Sequence, residues 1–175
     1  MRGIITTNST KRPLALRNAM NAVENSRLEN MLSSFSCIHD EDIQNFLHNR
    51  AIDFELLSKS RTYLIIDKEQ FQKPGIRLDE LTIYGYVSLA VKVFTVPETT
   101  SNRQRQQLDG FSAQEHGKQI SNFPCSLIGQ LARNLNIPKE SISGAELLNF
   151  AYDIIVISVD AVRGRNILVE CHNKS

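Results

Sequence analysis

The sequence predicts an α+β protein in which helices flank a mixed, mostly antiparallel central sheet. Residues 124–171 read in order as strand, helix and strand, which is the arrangement that two parallel strands with a helical crossover require. Residues 62–66 and 81–94 are rich in β-branched and aromatic side chains and are separated by a turn, which predicts an antiparallel pair. Residues 39–59 repeat apolar side chains at three- and four-residue steps, as an amphipathic helix does.

Length and composition predict one domain with its own core. The chain has 175 residues, 41% of them hydrophobic, and a formal net charge of +1, so no strong attraction to nucleic acid or membranes is expected. We divide it into an N-terminal strand and helix extension (1–35), helices and hairpin strands with a long polar loop (36–123), and a strand–helix–strand unit (124–175). We find no secretory leader, no apolar run of transmembrane length and no paired cysteine pattern. A cytoplasmic protein without membrane contacts is therefore expected.

The first third of the chain is predicted to be helical after a short strand. Residues 1–8 favour the strand, and residues 14–32 carry apolar side chains mostly at helical spacing. The basic residues of this segment are interpreted as solvated surface, with a phosphate-contacting arm as the alternative. The acidic cluster 40–42 begins the helix predicted at 39–59, where negative charge offsets the helix dipole. A metal site that combines this cluster with His39 is the less favoured interpretation.

The middle of the chain holds two strands and a long polar segment. In residues 81–94, alternation places Gly85 and Val87 on one face and Tyr86 on the other, and Gly85 predicts a bulge or a close backbone approach. Residues 97–123 lack periodicity and are interpreted as mobile solvated surface, or alternatively as a substrate-facing flap. In the second case, four basic side chains could contact an acidic ligand: Arg103, Arg105, His116 and Lys118.

The strand–helix–strand unit carries the main functional signal. Residues 125–133 predict a strand, residues 143–160 a helix that is apolar on nearly all sides, and residues 167–169 the last strand. Such a helix is expected to be buried on more than one face. The turn at residues 139–145 presents backbone N–H groups at the start of this helix, where an anion such as a phosphate can bind.

Four segments of the chain resemble those of one family. They read SRTYLIID (60–67), YGYVSLAVKVF (84–94), LIGQLARN (127–134) and SGAELLNFA (143–151). In this order, and with the helices that precede them, they are similar to the GNAT superfamily of N-acetyltransferases, in particular to its bacterial and mobile-element members. The resemblance covers most of residues 35–171. It implies acetyl-CoA as cofactor and transfer of an acetyl group to an amine of a protein, an aminoacyl-tRNA or a small molecule.

The resemblance also implies where coenzyme A would bind. In the family, the turn after the fourth strand reads Gln/Arg-x-x-Gly-x-Gly/Ala, and its amides hold the pyrophosphate. Aligned on Gly144, this chain has Lys139 at the Gln/Arg position, and Ile142 replaces the first glycine. Backbone groups of the fourth strand would pair with the pantetheine arm like an additional strand. The implied cofactor-binding residues are Leu131, Ala132, Arg133, Lys139, Glu140, Ser141, Ile142, Ser143, Gly144 and Ala145.

Two residues are the catalytic candidates that the resemblance suggests. Acetyl transfer to an amine needs a base for the ammonium, a donor for the carbonyl oxygen and an acid for the thiolate. Glu170 lies at the end of the last strand, near the cleft of the family, and Tyr86 lies on the third strand. A backbone N–H near Leu131 is the candidate carbonyl donor. The alternatives to the two side chains are His172, Tyr84 and Ser88.

The C-terminal part departs from the family pattern. Members continue after the last strand with a helix and two further strands, whereas this chain ends at Ser175. We therefore expect a C-terminally shortened fold whose exposed sheet is covered in a homo-oligomer or by a protein partner. Together with Ile142, this ending favours an alternative function, a catalytically impaired GNAT-like binding or regulatory protein that acts through protein–protein contacts. Nucleic acid other than tRNA is not expected, because the basic N-terminal segment lacks interleaved aromatic side chains.

Overall fold

The computed structural model describes residues 10–38, 40–109, 114–115, 118–119, 121–162 and 166–169 of the chain. Its strands form a five-stranded sheet in the order β1-β2-β3-β6-β7 and a separate hairpin, β4-β5. Their bounds are β1 Lys11–Ala15, β2 Arg61–Asp67, β3 Gly85–Thr95, β4 Gln114–Glu115, β5 Lys118–Gln119, β6 Asn122–Arg133 and β7 Asn166–Val169. Among the described strands of the large sheet, only the pair β6–β7 is parallel. The predicted mixed, mostly antiparallel sheet is therefore confirmed.

Helices cover both faces of this sheet. In the described part of the chain they are α1 Leu16–Ala22, α2 Asn25–Ser33, α3 Glu41–Asn49, α4 Ala51–Leu56, α5 Lys68–Gln72, α6 Asn102–Asp109 and α7 Gly144–Val162. Short 3-10 turns span Leu78–Glu80 and Lys139–Ser141. Helices α1–α4 pack on one face of the sheet, and α7 packs on the other.

Alternation along β2 and β3 assigns each side chain to one of these two cores. Leu64 and Tyr86 pack with α1–α4, whereas Ile65 and Val87 pack on the α7 side. The predicted alternation is thus confirmed from Gly85 onward, but it does not extend to Ile83, which packs with Tyr86 on the α1–α4 side because β3 begins only at Gly85. A strand that is covered on both faces carries apolar residues in succession, which explains why β2 reads as an unbroken apolar run.

Gly85 lets α7 and β6 approach the first residue of β3. A Cβ at this position would lie 2.7 Å from the carbonyl oxygen of Ala132 and 2.8 Å from Cδ2 of Leu147. Both distances are too short for a real side chain, so the predicted close backbone approach is confirmed. The contact fixes the start of α7 against the end of β6.

The prediction of a continuous helix over residues 14–32 is wrong. Residues 11–15 form edge strand β1, which pairs antiparallel with β2, and the helix that follows is interrupted at Val23 and Glu24. An edge position tolerates Pro13, which has no N–H to donate. The predicted strand at residues 1–8 lies outside the described residues.

The helix predicted over residues 39–59 is two helices, α3 and α4, which meet at Arg50. Asp40 is the N-cap of α3, and its Oδ1 accepts a hydrogen bond from the amide of Ile43 at 3.3 Å. This contact confirms the capping role expected for the acidic cluster. His39 lies outside the described residues.

The polar segment 97–123 is more ordered than the sequence indicates. It contains α6 and the hairpin β4–β5, and β6 begins at Asn122. Arg105 is buried, and its guanidinium donates to the carbonyl oxygens of Pro97 at 2.8 Å and Thr100 at 3.1 Å. Arg105 therefore closes the loop that precedes α6 and does not face a ligand. Arg103 is exposed, His116 lies outside the described residues, and the side chain of Lys118 is not described.

Helix α7 is buried on one side only, contrary to the expectation. Ala151 and Ile155 pack on the sheet, whereas Tyr152 and Ile157 expose 54% and 69% of their surface. By length and composition alone, the segment Lys139–Val159 would suffice to span a membrane. The sequence-based statement that the chain lacks such a run was therefore wrong. The inward face of α7 packs on the sheet as a core helix does.

Candidate cofactor site

The described pairing of β6 with β7 ends at Ile128, directly before a bulge in β6. The two strands pair from Cys125 and Asn166 to Ile128 and Val169. On the opposite edge of β6, Ile128 pairs with Leu89 of β3 and Gln130 with Ser88, so Gly129 is an additional, unpaired residue. A bulge bends a strand and increases its twist. The second half of β6 therefore changes direction directly after the last described pair with β7.

Backbone groups in this second half point to the side where β7 lies. The amide of Asn134 donates to the carbonyl oxygen of Tyr84 at 2.8 Å, on the β3 side. Because hydrogen-bonding direction alternates along a strand, Ala132 also directs its backbone groups to β3, whereas Leu131 and Arg133 direct theirs away from it. This orientation suits a ligand that pairs with the strand edge. The side chain of Ala132 is buried against α1–α4, so it faces the other core.

The turn between β6 and α7 is anchored by Ile142. Its side chain is 2% exposed and packs with Ile65, Leu147 and Phe150. Its backbone is extended, at φ −157° and ψ 136°, which a β-branched residue adopts without strain. Ile142 thus points into the core and fixes the turn by burial, whereas the family uses a glycine at this position.

The start of α7 is closed by a capping box. The Ser143 amide and hydroxyl both contact Oε2 of Glu146, at 2.9 and 3.0 Å, and the Glu146 amide donates to the Ser143 hydroxyl at 3.1 Å. At Gly144, an added Cβ would meet no atom within 4 Å. The open approach at Gly144 and Ala145 fits a phosphate, while the Glu146 carboxylate opposes it by charge.

The charged side chains of the turn balance one another. Lys139 and Glu140 are exposed in the 3-10 turn, and Arg133 is half-buried at the end of β6. With Glu146 they contribute two positive and two negative charges. Recognition of a pyrophosphate here would depend on backbone amides more than on net charge.

Asn134 holds the beginning of the turn and was missed by the sequence analysis. It is 4% exposed; its Oδ1 accepts from the amides of Ser36 and Asn136, each at 3.0 Å, and its Nδ2 donates to the carbonyl oxygen of Ile83 at 2.8 Å. The side chain therefore ties β6 to two loops that precede α3 and β3. The only signal in the sequence is an amide side chain placed directly after an apolar strand.

The two catalytic candidates are not brought together by the described residues. Tyr86 is fully buried on the α1–α4 side, and its hydroxyl donates to the carbonyl oxygen of Ile43 at 2.7 Å. This environment indicates a packing role for Tyr86. Glu170 lies outside the described residues, as does His172. The alternative Ser88 is buried and lies 3.5 Å from the hydroxyl of Thr62, and Tyr84 is half-buried with its ring 4.0 Å from Nζ of Lys11.

The strand order, the bulge in β6 and the crossover through α7 define the GNAT fold, and solved structures support this assignment. No protein-family model matches the chain, and a search of curated proteins finds no match in sequence. A mutant of KacT matches with a TM-score of 0.66 and 16% identity, over 95% of this chain and 81% of that one. AtaTR bound with acetyl-CoA matches with a TM-score of 0.62 and 19% identity, over 94% and 78%. AtaT complexed with acetyl-methionyl-tRNAfMet matches with a TM-score of 0.59 and 20% identity, over 82% and 72%. At these identities, the likeness shows a common fold with these toxins.

Proposed function

We propose that the protein is an acetyl-CoA-dependent N-acetyltransferase that transfers an acetyl group to an amine. The observation that carries this proposal is the bulge at Gly129, where β6 bends away directly after its last described pair with β7. Beyond it, the backbone groups of Leu131 and Arg133 are directed to the side on which an extended arm could pair with the strand. The turn that begins α7 then offers open amides at Gly144 and Ala145 for a phosphate.

The residues fit coenzyme A through backbone atoms. Leu131 and Arg133 would pair with the pantetheine arm, with Ala132 shaping the strand between them. The segment from Lys139 through Glu140, Ser141, Ile142 and Ser143 to Gly144 and Ala145 would surround the pyrophosphate. When bound, acetyl-CoA supplies the activated thioester. The amide of Leu131 would stabilise negative charge on the carbonyl oxygen, and Glu170 would accept a proton from the attacking ammonium.

The acceptor and the partner are proposed from the solved structures that share the fold. AtaT has been solved with an acetylated methionyl-tRNA, and also with the C-terminus of the antitoxin AtaR and acetyl-CoA. We therefore propose an aminoacyl-tRNA as the acceptor class, ahead of a protein or small-molecule amine. We also propose a protein partner or a second copy of the chain on the exposed apolar face of α7. We also propose that the protein acts in the cytoplasm, where aminoacyl-tRNA is found.

The alternative is a GNAT-like binding or regulatory protein that lacks catalysis. The observation that favours it is the capping box, in which Glu146 engages the Ser143 amide and adds negative charge where a phosphate would bind. The buried Ile142 also favours the binding protein. It stands where the family has a glycine, so a position of close backbone approach to a phosphate is lost.

Calorimetric titration with acetyl-CoA separates the two functions. We expect binding by the natural chain, and we expect Lys139→Glu to weaken it about tenfold, because this change places a third negative charge at the pyrophosphate. Lys73→Glu is the matched control, since Lys73 is exposed after α5 and far along the chain from the turn. Absence of heat at millimolar acetyl-CoA would exclude the enzyme and leave the binding protein.

A further inference from the structure

A cavity of about 290 Å³ lies on the α7 side of the sheet, at the opposite end of α7 from the turn at 139–145. It is bounded by Ile154, Ile155 and Ser158 of α7, by the middle of β3 around Leu89, and by the segment that leads from α4 into β2. None of the residues proposed above for coenzyme A lines it. Its function is therefore separate from the proposed cofactor site.

The cavity combines an apolar wall with several polar groups. Leu89 and Ile155 are buried and form the wall with Ile154, while the hydroxyl-bearing side chains of Tyr63 and Ser126 lie among the other lining residues. Binding sites for small molecules show this composition, a mainly apolar surface with a few convergent polar groups. Burial raises the pKa of Tyr63, so its phenol remains a neutral hydrogen-bond donor at physiological pH.

One polar group at the cavity lacks a partner. Ser60 is 9% exposed, and its hydroxyl is buried without a hydrogen bond to any described residue. Ser58, two residues earlier, has a φ of +54° because it ends helix α4: the amides of Ser58 and Lys59 donate to the carbonyl oxygens of Glu55 and Phe54. An unsatisfied buried hydroxyl is costly to the fold, and such a group persists where it has a partner in the functional state, such as a bound ligand.

The charged side chains around the cavity favour a ligand with a negative charge. Lys59 and Arg61 line the cavity, and none of its described lining residues is acidic. Glu55 lies behind Arg61, at 3.4 Å, but its other carboxylate oxygen accepts from the Thr62 amide at 2.7 Å and its side chain is fully buried. Glu55 offsets one of the two positive charges, so a net positive charge remains toward the cavity.

We infer that this cavity is a second ligand site, for a small organic anion with an apolar body and a single carboxylate. The carboxylate would contact Arg61 and the Ser60 hydroxyl, which gives the unpartnered group its hydrogen bond. The apolar body would lie against Leu89, Ile154 and Ile155. This inference holds whether or not the protein transfers acetyl groups.

Octanoate is the probe that tests the inference, with octylamine and acetate as comparisons. In a titration of the whole chain followed by amide NMR shifts, octanoate should move the signals of residues 58–63 and 154–158. Octylamine should bind about tenfold more weakly because its charge is reversed, and acetate should not bind because it lacks the apolar body. Equal affinity for octanoate and octylamine would overturn the inference.

Two variants at the cavity and one control variant locate the site, with octanoate affinity and thermal stability as the measured quantities. Ser158→Phe, on the exposed rim of the cavity, should abolish binding, whereas Asn149→Phe, exposed elsewhere on α7, should not change it. Ser60→Ala should raise the melting temperature of the free protein by about 2–4 °C, because it removes an unsatisfied hydroxyl, and should weaken octanoate binding several-fold. Loss of binding in Asn149→Phe, or unchanged binding in Ser60→Ala, would show that octanoate occupies another surface and would overturn the assignment.

Discussion

At the scale of single residues, Tyr86 shows how the surroundings of a side chain determine its chemistry. Its ring packs edge-on against Phe35, with centroids 5.2 Å apart, and its hydroxyl is bonded to a main-chain carbonyl of α3. Burial, followed by the nearby Cys37 and Asp40 side chains, raises the pKa of Tyr86. A phenol that keeps its proton and already donates it is poorly placed to act as an acid or a base.

Tyr86→Phe should therefore affect stability and leave catalysis unchanged. We expect the free energy of unfolding to fall by about 1–2 kcal/mol, because a buried hydrogen bond is lost. Urea denaturation measures this change, and a single-turnover acetyl-transfer assay measures the rate. Tyr152→Phe, at an exposed position of α7, is the control and should change stability by less than about 0.5 kcal/mol. A lower rate in Tyr86→Phe at unchanged stability would restore the catalytic hypothesis.

Asn134 carries the second prediction at this scale. Asn134→Ala would leave the Ser36 amide and the Ile83 carbonyl without their partner, so we expect a loss of about 2–4 kcal/mol. Asn136→Ala removes one exposed hydrogen bond, to the Ser34 carbonyl, and should cost less than about 1 kcal/mol. Denaturant titration of both variants provides the comparison. Equal losses would show that the amide of Asn134 does not hold the turn.

At the scale of elements, Asp67 joins β1, β2 and α5. Its Oδ2 accepts from Nζ of Lys11 at 2.9 Å, across the β1–β2 pair, and its Oδ1 accepts from the amides of Glu69 and Gln70 at the start of α5. Burial would raise the pKa of Asp67, but the Gln70 amide and the Lys11 ammonium outweigh it and hold the pKa below its usual value. The charged form is thus favoured by folding.

Because the pKa of Asp67 is lower in the folded chain, its contribution to stability is present above the unfolded pKa of about 4 and is lost at lower pH. At pH 7, Asp67→Asn should reduce the free energy of unfolding by about 1 kcal/mol. The difference from the natural chain should disappear as the pH falls below about 3. Asp53→Asn removes an equal charge from an exposed position and should show little effect. A difference that persists unchanged at low pH would contradict the prediction.

The strands were easier to predict than the helices for a physical reason. Burial on both faces makes β2 carry a run of four apolar or aromatic residues, a signal that no loop would carry. The helix breaks at Val23 and Arg50 do not interrupt the apolar spacing, so periodicity extends through them. Strand β1 has two basic residues and a proline, and its pairing depends on the contact with Asp67, 56 positions later in the chain.

The position of the candidate site in the chain could be predicted from the sequence, but the arrangement of its backbone groups could not. The turn that begins α7 was located from its polar residues before an apolar helix. The direction of the Leu131 and Arg133 amides follows from the register with β3, which no local pattern contains. The bulge at Gly129 and the network of Asn134 depend on residues up to 98 positions apart, so no local sequence pattern predicts their geometry.

At the scale of the whole molecule, apolar surface is concentrated on the α7 side. Among the described residues, eight large apolar side chains are exposed there, on α7, in the second half of β3 and on β7: Leu148, Tyr152, Val156, Ile157, Val91, Val93, Ile167 and Val169. The helix is apolar on nearly all sides, but the sheet covers only one of them. Several exposed apolar side chains on one side of a sheet are typical of an interface with another protein.

This surface leads to a prediction about assembly. We expect the chain to self-associate at micromolar concentration, and we expect Ile157→Glu to raise the dissociation constant at least tenfold, because burial of an unpaired carboxylate costs more than 1.4 kcal/mol. Ile38→Glu is the matched control, since Ile38 is 71% exposed beside α3, which packs on the opposite face of the sheet. Sedimentation velocity over a concentration series measures both variants.

A monomeric natural chain at tens of micromolar would contradict self-association and leave a different protein as the partner of α7. An equal effect of the two variants would show that added charge alone, and not the α7 surface, controls assembly.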